Sequence, residues 1–179
     1  INYFNKNTEI YKGMKLIDDK LGGTTPLEII LKFSGKPKTT NVDDDFADWE
    51  EDEDLNNDKY WFTKDKIDKI DKVHNYLNTL DGVGKVLSFS SILQVAKQLN
   101  DDKELGTLEM GVLYSKIPDS IKTEIIDPYI SIKDNEARIN LRIKDSQEGL
   151  RRNELINKIQ YDLENELNLK KKEFRLAGV

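Results

Sequence analysis

The sequence predicts an α+β fold, because a strand–helix–strand pattern occurs twice along its 179 residues. Apolar residues alternate with polar ones in the short segments, as in strands, and recur every three to four residues in the longer segments, as in helices. We expect one domain in four parts: a leading helix and turn at 1–23, a first strand–helix–strand unit at 24–89, a helical insertion at 90–135 and a second unit at 136–179.

The leading helix is predicted over residues 8–21. Thr8 is a suitable amino-terminal cap, and Gly22 is placed to end the helix in a left-handed conformation. One apolar stripe recurs at helical spacing and consists of Ile10, Met14, Ile17 and Leu21. The chain begins at Ile1 and ends within its last predicted strand, from which we expect a domain of a larger protein.

The first unit contains strands predicted at 24–33 and 83–89 and one helix between them. Thr63 precedes the helix as its expected cap, and Asp81-Gly82 ends it. The apolar face of this helix consists of Ile67, Ile70, Val73, His74, Leu77 and Leu80.

An acidic loop is predicted at 36–59, within the first unit. Residues 43–54 contain nine carboxylates and no basic residue: Asp43, Asp44, Asp45, Asp48, Glu50, Glu51, Asp52, Glu53 and Asp54. Like charges should keep this loop extended and mobile, with aromatic residues packing back at a few points: Phe46, Trp49, Tyr60 and Trp61. A calcium loop of the helix–loop–helix type needs a glycine at its sixth position, and residues 36–81 contain no glycine. A solvated loop is therefore favoured over a metal site.

The insertion is predicted to consist of short helices. Ser90 or Ser91 caps the first, which runs to Leu99. A second helix is predicted at 105–117, and Pro118 is placed as the first residue of a third. Because the insertion is amphipathic and surplus to the minimal fold, we expect it to contact another part of a larger protein.

The second unit begins with the clearest strand of the chain, at 136–144. Ser146 is the expected cap of a helix at 149–167, and a final strand is predicted at 173–179. The inward stripe of the helix is Leu155, Ile156, Ile159, Leu163 and Leu167. Two such units in one antiparallel sheet, with both long helices on one face, predict a ferredoxin-like sandwich.

Composition excludes several classes of function. The chain has no cysteine, which removes disulfides, thiolate zinc sites and thiol catalysis. No apolar run is long enough to cross a bilayer. The net charge is −6, and the residues outside the acidic run carry about +3, so a concentrated basic face for nucleic acid is not expected. RNA-binding versions of the sandwich also need strand aromatics, which 137–144 lacks.

Three further motifs favour structural interpretations. His74 is the only histidine and lies on an apolar helix face, so we expect it to be packed and not catalytic. The segment 82–85 (GVGK) lacks the spacing of a phosphate loop and is expected to be a turn. Arg151 and Arg152 are expected on a solvated or ion-paired helix surface. No catalytic residue, metal ligand, substrate-binding residue or cofactor is assigned, and no enzymatic activity is expected.

Five motifs occur in order along nearly the whole chain: 21–28 (LGGTTPLE), 80–88 (LDGVGKVLS), 126–130 (IDPYI), 137–139 (ARI) and 149–152 (GLRR). Together they resemble the extracytoplasmic loop domain of RND-superfamily exporters, in the MMPL-like, hopanoid-transporter-like branch. The acidic insertion at 36–59 departs from the family pattern.

The resemblance implies one of two periplasmic porter loops of a proton-driven, bacterial inner-membrane exporter of hydrophobic or lipid-like substrates. Its implied partners are the transmembrane helices and the other periplasmic loop of the same parent chain, with a homo-oligomer of the full transporter also allowed. The proton-relay residues of such exporters lie in their membrane helices, outside this chain.

Two other functions stay open. A freestanding ferredoxin-like domain could bind a ligand or regulate another protein. An acidic metal-buffering protein would fold in a calcium-dependent manner.

Overall fold

The computed structural model describes residues 4–34, 61–99 and 106–178. It confirms an α+β fold. The elements in chain order are α1 (Glu9–Leu21), β1 (Thr25–Lys32), α2 (Lys64–Thr79), β2 (Val83–Leu87), α3 (Phe89–Leu99), α4 (Thr107–Lys116), β3 (Ile130–Ser131), β4 (Glu136–Ile143), α5 (Arg152–Asn165) and β5 (Phe174–Ala177). A helical turn at Asp119–Ile121 continues into a π-helical turn at Lys122–Ile126, and a 3₁₀ turn at Lys171–Glu173 precedes β5. The predicted acidic loop, including Phe46, Trp49 and Tyr60, lies outside the described residues.

The strands form one antiparallel sheet in the order β2-β4-β1-β5, and the short β3 pairs with the beginning of β4. Ile29 in β1 lies opposite Ile139 on one side and Leu176 on the other. A register shift interrupts the pairing of β2 with β4 between Val83 and Val86. Each long helix therefore connects two strands that do not pair with each other, whereas β3 and β4 are neighbours both along the chain and in the sheet.

One face of the sheet is buried and the other is polar, as the alternation in β4 predicts. The buried strand residues share a core with the apolar faces of α2 and α5. From the strands this core takes Leu27, Ile29, Leu31, Val83, Val86, Ala137, Ile139, Leu141, Ile143 and Phe174; from the two helices it takes Ile67, Ile70, Val73, Leu77, Leu155, Ile159 and Leu163. Both long helices therefore cover the same face.

A hydrogen-bonded pair links the two long helices. The Tyr76 hydroxyl of α2 donates to Asp162 of α5, which also accepts from Lys158 at 2.6 Å. Burial, together with this bond to a carboxylate, raises the pKa of Tyr76. The hydrogen bonds from Lys158 and Tyr76 lower the pKa of Asp162. The contact fixes the spacing of the helices above the sheet.

Helix α1 has the predicted ends but not a buried apolar stripe. The Thr8 hydroxyl accepts from the Tyr11 amide at 3.3 Å, and Gly22 is left-handed with φ of 72°. Ile10, Ile17 and Leu21 are 59%, 50% and 55% exposed. The helix is instead held at its carboxyl end.

Asp18 makes that attachment and is fully buried. Its carboxylate accepts from the Thr24 hydroxyl at 2.7 Å and from the Ser146 amide at 2.9 Å. Burial alone would raise the pKa of Asp18, but these hydrogen bonds outweigh it and lower the pKa. Ser146 therefore holds α1 and does not cap α5, which begins six residues later at Arg152.

The close approach of α1 to β2 depends on Gly84. The Lys85 amide donates to the Gly22 carbonyl at 3.1 Å. A Cβ atom on Gly84 would lie 1.6 Å from that carbonyl oxygen, so only glycine allows the two backbones to meet. The glycine is therefore needed for this close packing.

Four predictions were wrong in and beside the insertion. Strand β2 ends at Leu87, and α3 begins at Phe89, so Ser90 and Ser91 lie inside the helix. Ser88 is in the cap position instead, where its hydroxyl accepts from the Ser90 amide at 3.1 Å. Pro118 precedes its helical turn with an extended ψ of 144°. Strand β3, predicted as part of the insertion, pairs with β4 because the intervening residues form a tight turn.

Asn135 connects that turn to the core. It has a positive φ of 54°. Its side-chain oxygen accepts from Trp61 Nε1 at 2.9 Å and from Lys66 Nζ at 2.8 Å, and its Nδ2 donates to the Phe33 carbonyl at 2.7 Å. Trp61 is buried, as expected of an aromatic residue that packs back, and its ring lies edge-on against Phe33. Burial lowers the pKa of Lys66 to about 8.

Candidate functional site

A groove with a volume of about 470 Å³ lies between α2 and α3, and the beginning of α4 closes one end. Cavities of this size accommodate small organic molecules. The groove is lined by Lys64, Ile67, Asp68, Asp71 and Asn75 from α2, by Ser90, Leu93, Gln94 and Lys97 from α3, and by Gly106 and Met110 around the start of α4.

Helical periodicity places these side chains together. On α2, residues 64, 68, 71 and 75 recur at steps of four, three and four, which puts them on one stripe beside the core-facing stripe. On α3, residues 90, 93, 94 and 97 form the matching stripe. Helices α2 and α3 therefore face each other through these two polar stripes, in addition to the core that they share.

The groove combines an apolar floor with polar walls. Ile67, Leu93 and Met110 supply the floor, and Ile67 and Met110 are buried. The walls carry carboxylate, amide and ammonium groups. Such a surface suits a molecule with an apolar body and one polar group, because apolar contact supplies affinity and the polar contact fixes orientation.

Asp71 is a partly buried carboxylate of the groove. Its Oδ1 atom is shielded from solvent and accepts no hydrogen bond from the described residues. The neighbouring Asp68 differs, since it forms an ion pair with Lys64 at 3.3 Å and its side chain is 58% exposed. A shielded acceptor without a donor costs free energy.

Beneath the groove, a buried polar pair fixes α2 against the start of α3. His74 Nδ1 lies 2.9 Å from Ser88 Oγ, and both residues are buried. Ser88 Oγ also accepts from the Ser90 amide at 3.1 Å, so the serine hydroxyl connects the histidine ring to the backbone at the start of α3. Burial lowers the pKa of His74, and the charge of Asp71 opposes that shift only in part. The pair acts as a neutral joint between the helices.

As the pH falls, we expect protonation of His74 to weaken its contact with Ser88 before the carboxylates become protonated. The pKa of His74 is lower in the folded than in the unfolded chain, so protons bind the unfolded chain preferentially below the unfolded value of about 6.5. The free energy of unfolding should therefore fall between pH 6.5 and 5, by at most about 1.4 kcal/mol per pH unit. Urea denaturation at half-unit pH steps measures this slope.

His74→Gln provides the control, because glutamine does not titrate. The slope between pH 6.5 and 5 should disappear in this variant, while the loss below pH 4.5 should remain. That second loss comes from Asp18, Asp162 and Glu173, whose pKa values are lowered on folding. An unchanged slope in His74→Gln would show that other groups titrate in this range.

The polar face of the sheet is a second candidate surface. Lys32 and Arg175 both contact Glu136, at 3.0 and 3.4 Å, and Arg138 lies 3.7 Å from Glu28. A small cavity of about 60 Å³ lies here against Asp127–Ser131. Because most of its charges are already paired and the cavity holds little more than a water molecule, the groove is the stronger site.

Three motifs were considered in the sequence analysis: His74, the segment 82–85 and the pair Arg151 and Arg152. None of them lines the groove. His74 lies under its floor, as a packed residue. Gly82 is left-handed with φ of 84°, whereas Val83 to Lys85 belong to β2. Arg151 pairs with Glu154 at 2.9 Å, and Arg152 with Asp145, which agrees with an ion-paired helix surface.

Sequence reasoning missed Asp71 and its neighbours. The available signal is the polar stripe of α2 at four, three and four residue steps, which by itself indicates only the polar side of an amphipathic helix. The position of α3, which converts that side into a groove wall, depends on where β2 ends.

Within residues 4–34, 61–99 and 106–178, no group of three or more histidine and carboxylate side chains is arranged to hold a metal ion. In the same ranges, no helix is both long and apolar enough to cross a membrane. Comparison of the chain with models of protein families, with curated proteins and with solved structures finds no match.

Proposed function

We propose that this chain is an extracytoplasmic porter domain of a proton-driven RND-superfamily exporter, in the MMPL-like, hopanoid-transporter-like branch. In this proposal it forms part of the passage for hydrophobic or lipid-like substrates and catalyses no reaction. It lies in the periplasm as a portion of a bacterial inner-membrane protein. Its partners are the membrane helices and the second periplasmic loop of the parent chain.

The strand order carries this proposal. Two strand–helix–strand units whose strands interleave as β2-β4-β1-β5, with α2 and α5 on one face, support a ferredoxin-like sandwich. We infer that fold here, and it is the fold that the five ordered motifs imply for a porter loop. A stiff sheet with two tied helices can also move as one body during alternating access.

Two further features support a place inside a larger assembly. The insertion exposes large apolar side chains, namely Val95, Val112, Leu113, Ile121 and Ile125. The groove between α2 and α3 offers an apolar floor to a hydrophobic substrate. Exposed apolar surface of this kind is typical of contact sites with other protein surfaces.

Cysteine labelling tests the location. This chain contains no cysteine, so one can be introduced into a cysteine-free form of the parent protein. Lys133→Cys places it in an exposed turn. In intact cells, a maleimide that crosses only the outer membrane should label Lys133→Cys within minutes. Mass spectrometry of the purified protein measures the labelled fraction.

Ile139→Cys is the matched control, because Ile139 is fully buried in the sheet. It should remain unlabelled in cells and react after denaturation, which shows that the fold is intact. Labelling of Lys133→Cys only after the inner membrane is opened would contradict the periplasmic placement and with it the exporter proposal.

The groove also favours a second candidate, a freestanding ligand-binding or regulatory domain. The coding sequence separates the two functions. Apolar segments of about 20 residues directly before Ile1 and after Val179 belong to an exporter, whereas soluble domains or a stop codon there belong to the alternative.

A further inference from the structure

We propose that two copies of this chain associate through the exposed face of α1, as an antiparallel pair of helices related by a two-fold axis. The contacting residues form the apolar stripe of α1, which consists of Ile10, Met14, Ile17 and Leu21. The association does not depend on the proposed exporter function, and it can be measured on the 179-residue chain itself.

The apolar stripe is open to solvent and to a partner. Ile10, Ile17 and Leu21 are all exposed. On one flank of the stripe, Asp18 is buried against the body of the domain. On the other flank, a Cβ atom added to Gly13 would have no atom within 4 Å, so a second helix has room beside the stripe. Apolar side chains that are exposed together in this way are typical of contact sites.

The narrowness of the stripe favours a helix as the partner over a membrane surface. The stripe residues follow one another at steps of four, three and four, so at about 100° per residue they cover only about 60° of the helix circumference. An apolar stripe with this strict spacing is typical of the seam between two paired helices. Helices that lie on a membrane are rich in basic residues, whereas α1 has three acidic and three basic residues.

The spacing of the stripe matches a second copy of the same helix. Steps of four, three and four are the same in both directions, so an antiparallel copy leaves no stripe residue without an apolar partner. Ile10 of one copy then faces Leu21 of the other. Met14 likewise faces Ile17 across the centre of the pair. A two-fold axis makes these contacts twice, as in most symmetric dimers.

Two charges on the open flank favour the antiparallel orientation. Glu9 and Lys20 are separated by about three helical turns, so both lie on the side of the stripe where Gly13 lies. Both side chains are exposed, and neither has an ion-pair partner among the residues that the structure describes. In an antiparallel pair, Glu9 of each copy approaches Lys20 of the other. A parallel pair would instead bring like charges together.

Sedimentation equilibrium of the chain at increasing concentration tests the association. Because the seam contains only four apolar residues from each copy, the dimer should be weak, with a Kd of about 100 µM. Ile17→Gln should raise the Kd at least about tenfold, since the altered residue enters the seam twice. Leu16→Gln is the matched control, because Leu16 is exposed on the same helix but lies outside the stripe. It should leave the Kd unchanged.

Charge reversal tests the orientation. Glu9→Lys or Lys20→Glu alone replaces both attractive pairs of an antiparallel dimer with repulsive ones, and each should raise the Kd about fivefold at low salt. The double variant should restore the affinity, and high salt should remove the differences. Circular dichroism of each variant at low concentration confirms that the fold is retained.

A chain that remains monomeric up to about 1 mM would overturn the inference, as would equal effects of Ile17→Gln and Leu16→Gln. An unchanged Kd after charge reversal would overturn the antiparallel arrangement. Binding of a monomeric chain to phosphatidylglycerol vesicles, if Ile17→Gln abolished it, would assign the stripe to a membrane surface instead. These outcomes leave the labelling of Lys133→Cys unaffected, so the failure of this interface and the failure of the exporter proposal are distinguishable.

Discussion

Asn135→Ala is expected to lower the free energy of unfolding by about 3 kcal/mol. Alanine loses the acceptor of Trp61 Nε1, which is then buried without a partner, and the donor to the Phe33 carbonyl. A buried unsatisfied group costs about 1–3 kcal/mol. Alanine also tolerates the positive φ of 54° less well than asparagine does. Urea denaturation followed by circular dichroism measures the loss.

Two variants separate the backbone cost from the side-chain cost. Asn135→Gly accepts the positive φ, so it should be about 1 kcal/mol less harmful than Asn135→Ala. Asn168 also has a positive φ, of 57°, but it is exposed and its side chain makes no hydrogen bond among the described residues. Asn168→Ala should therefore cost only about 1 kcal/mol. Equal losses for Asn135→Ala and Asn168→Ala would mean that the contacts of Asn135 contribute little.

Gly84→Ala is expected to destabilise the chain by about 2–4 kcal/mol, or to detach the end of α1 from β2. The added methyl group would overlap the Gly22 carbonyl oxygen at 1.6 Å, and that oxygen is a backbone atom. No rotamer change can relieve the overlap. The hydrogen bond from the Lys85 amide to that carbonyl should be lost. Denaturation gives the energy, and faster exchange of the Lys85 amide shows the detachment.

Gly13→Ala is the matched comparison. Gly13 lies within α1, and an added Cβ would have no atom within 4 Å. Alanine should therefore stabilise the chain by about 0.5–1 kcal/mol through its higher helix propensity. A destabilising Gly13→Ala, or a neutral Gly84→Ala, would show that the packing of α1 differs from that described.

Local rules were sufficient to predict most of the elements. The caps and glycines around α1, the alternation in β4 and the apolar face of α2 each specify a structure within about a dozen residues. These local rules gave wrong predictions where a contact between residues far apart in the sequence determines the local structure. Ser146 resembles a cap, yet its amide is used by Asp18, which lies more than a hundred residues earlier.

The candidate site depends on tertiary contacts to a greater degree. His74 could be recognised as packed from its helical position alone. The groove could not, because it exists only when α3 turns back along α2 from the Ser88 cap. A sequence shows that Asp71 lies on the polar side of α2, but not that its Oδ1 atom is shielded from solvent.

Helix α1 is held at its carboxyl end, so its first turns should unfold at a lower free-energy cost than the sheet and the two long helices. A helix of thirteen residues is marginal in water, and the exposed stripe gives α1 little tertiary support ahead of Asp18. Its first turns can unwind while the sheet and its two long helices stay folded, as a separate local unfolding unit. Docking of the stripe of Ile10, Ile17 and Leu21 against another surface would then order this segment without any change in the core.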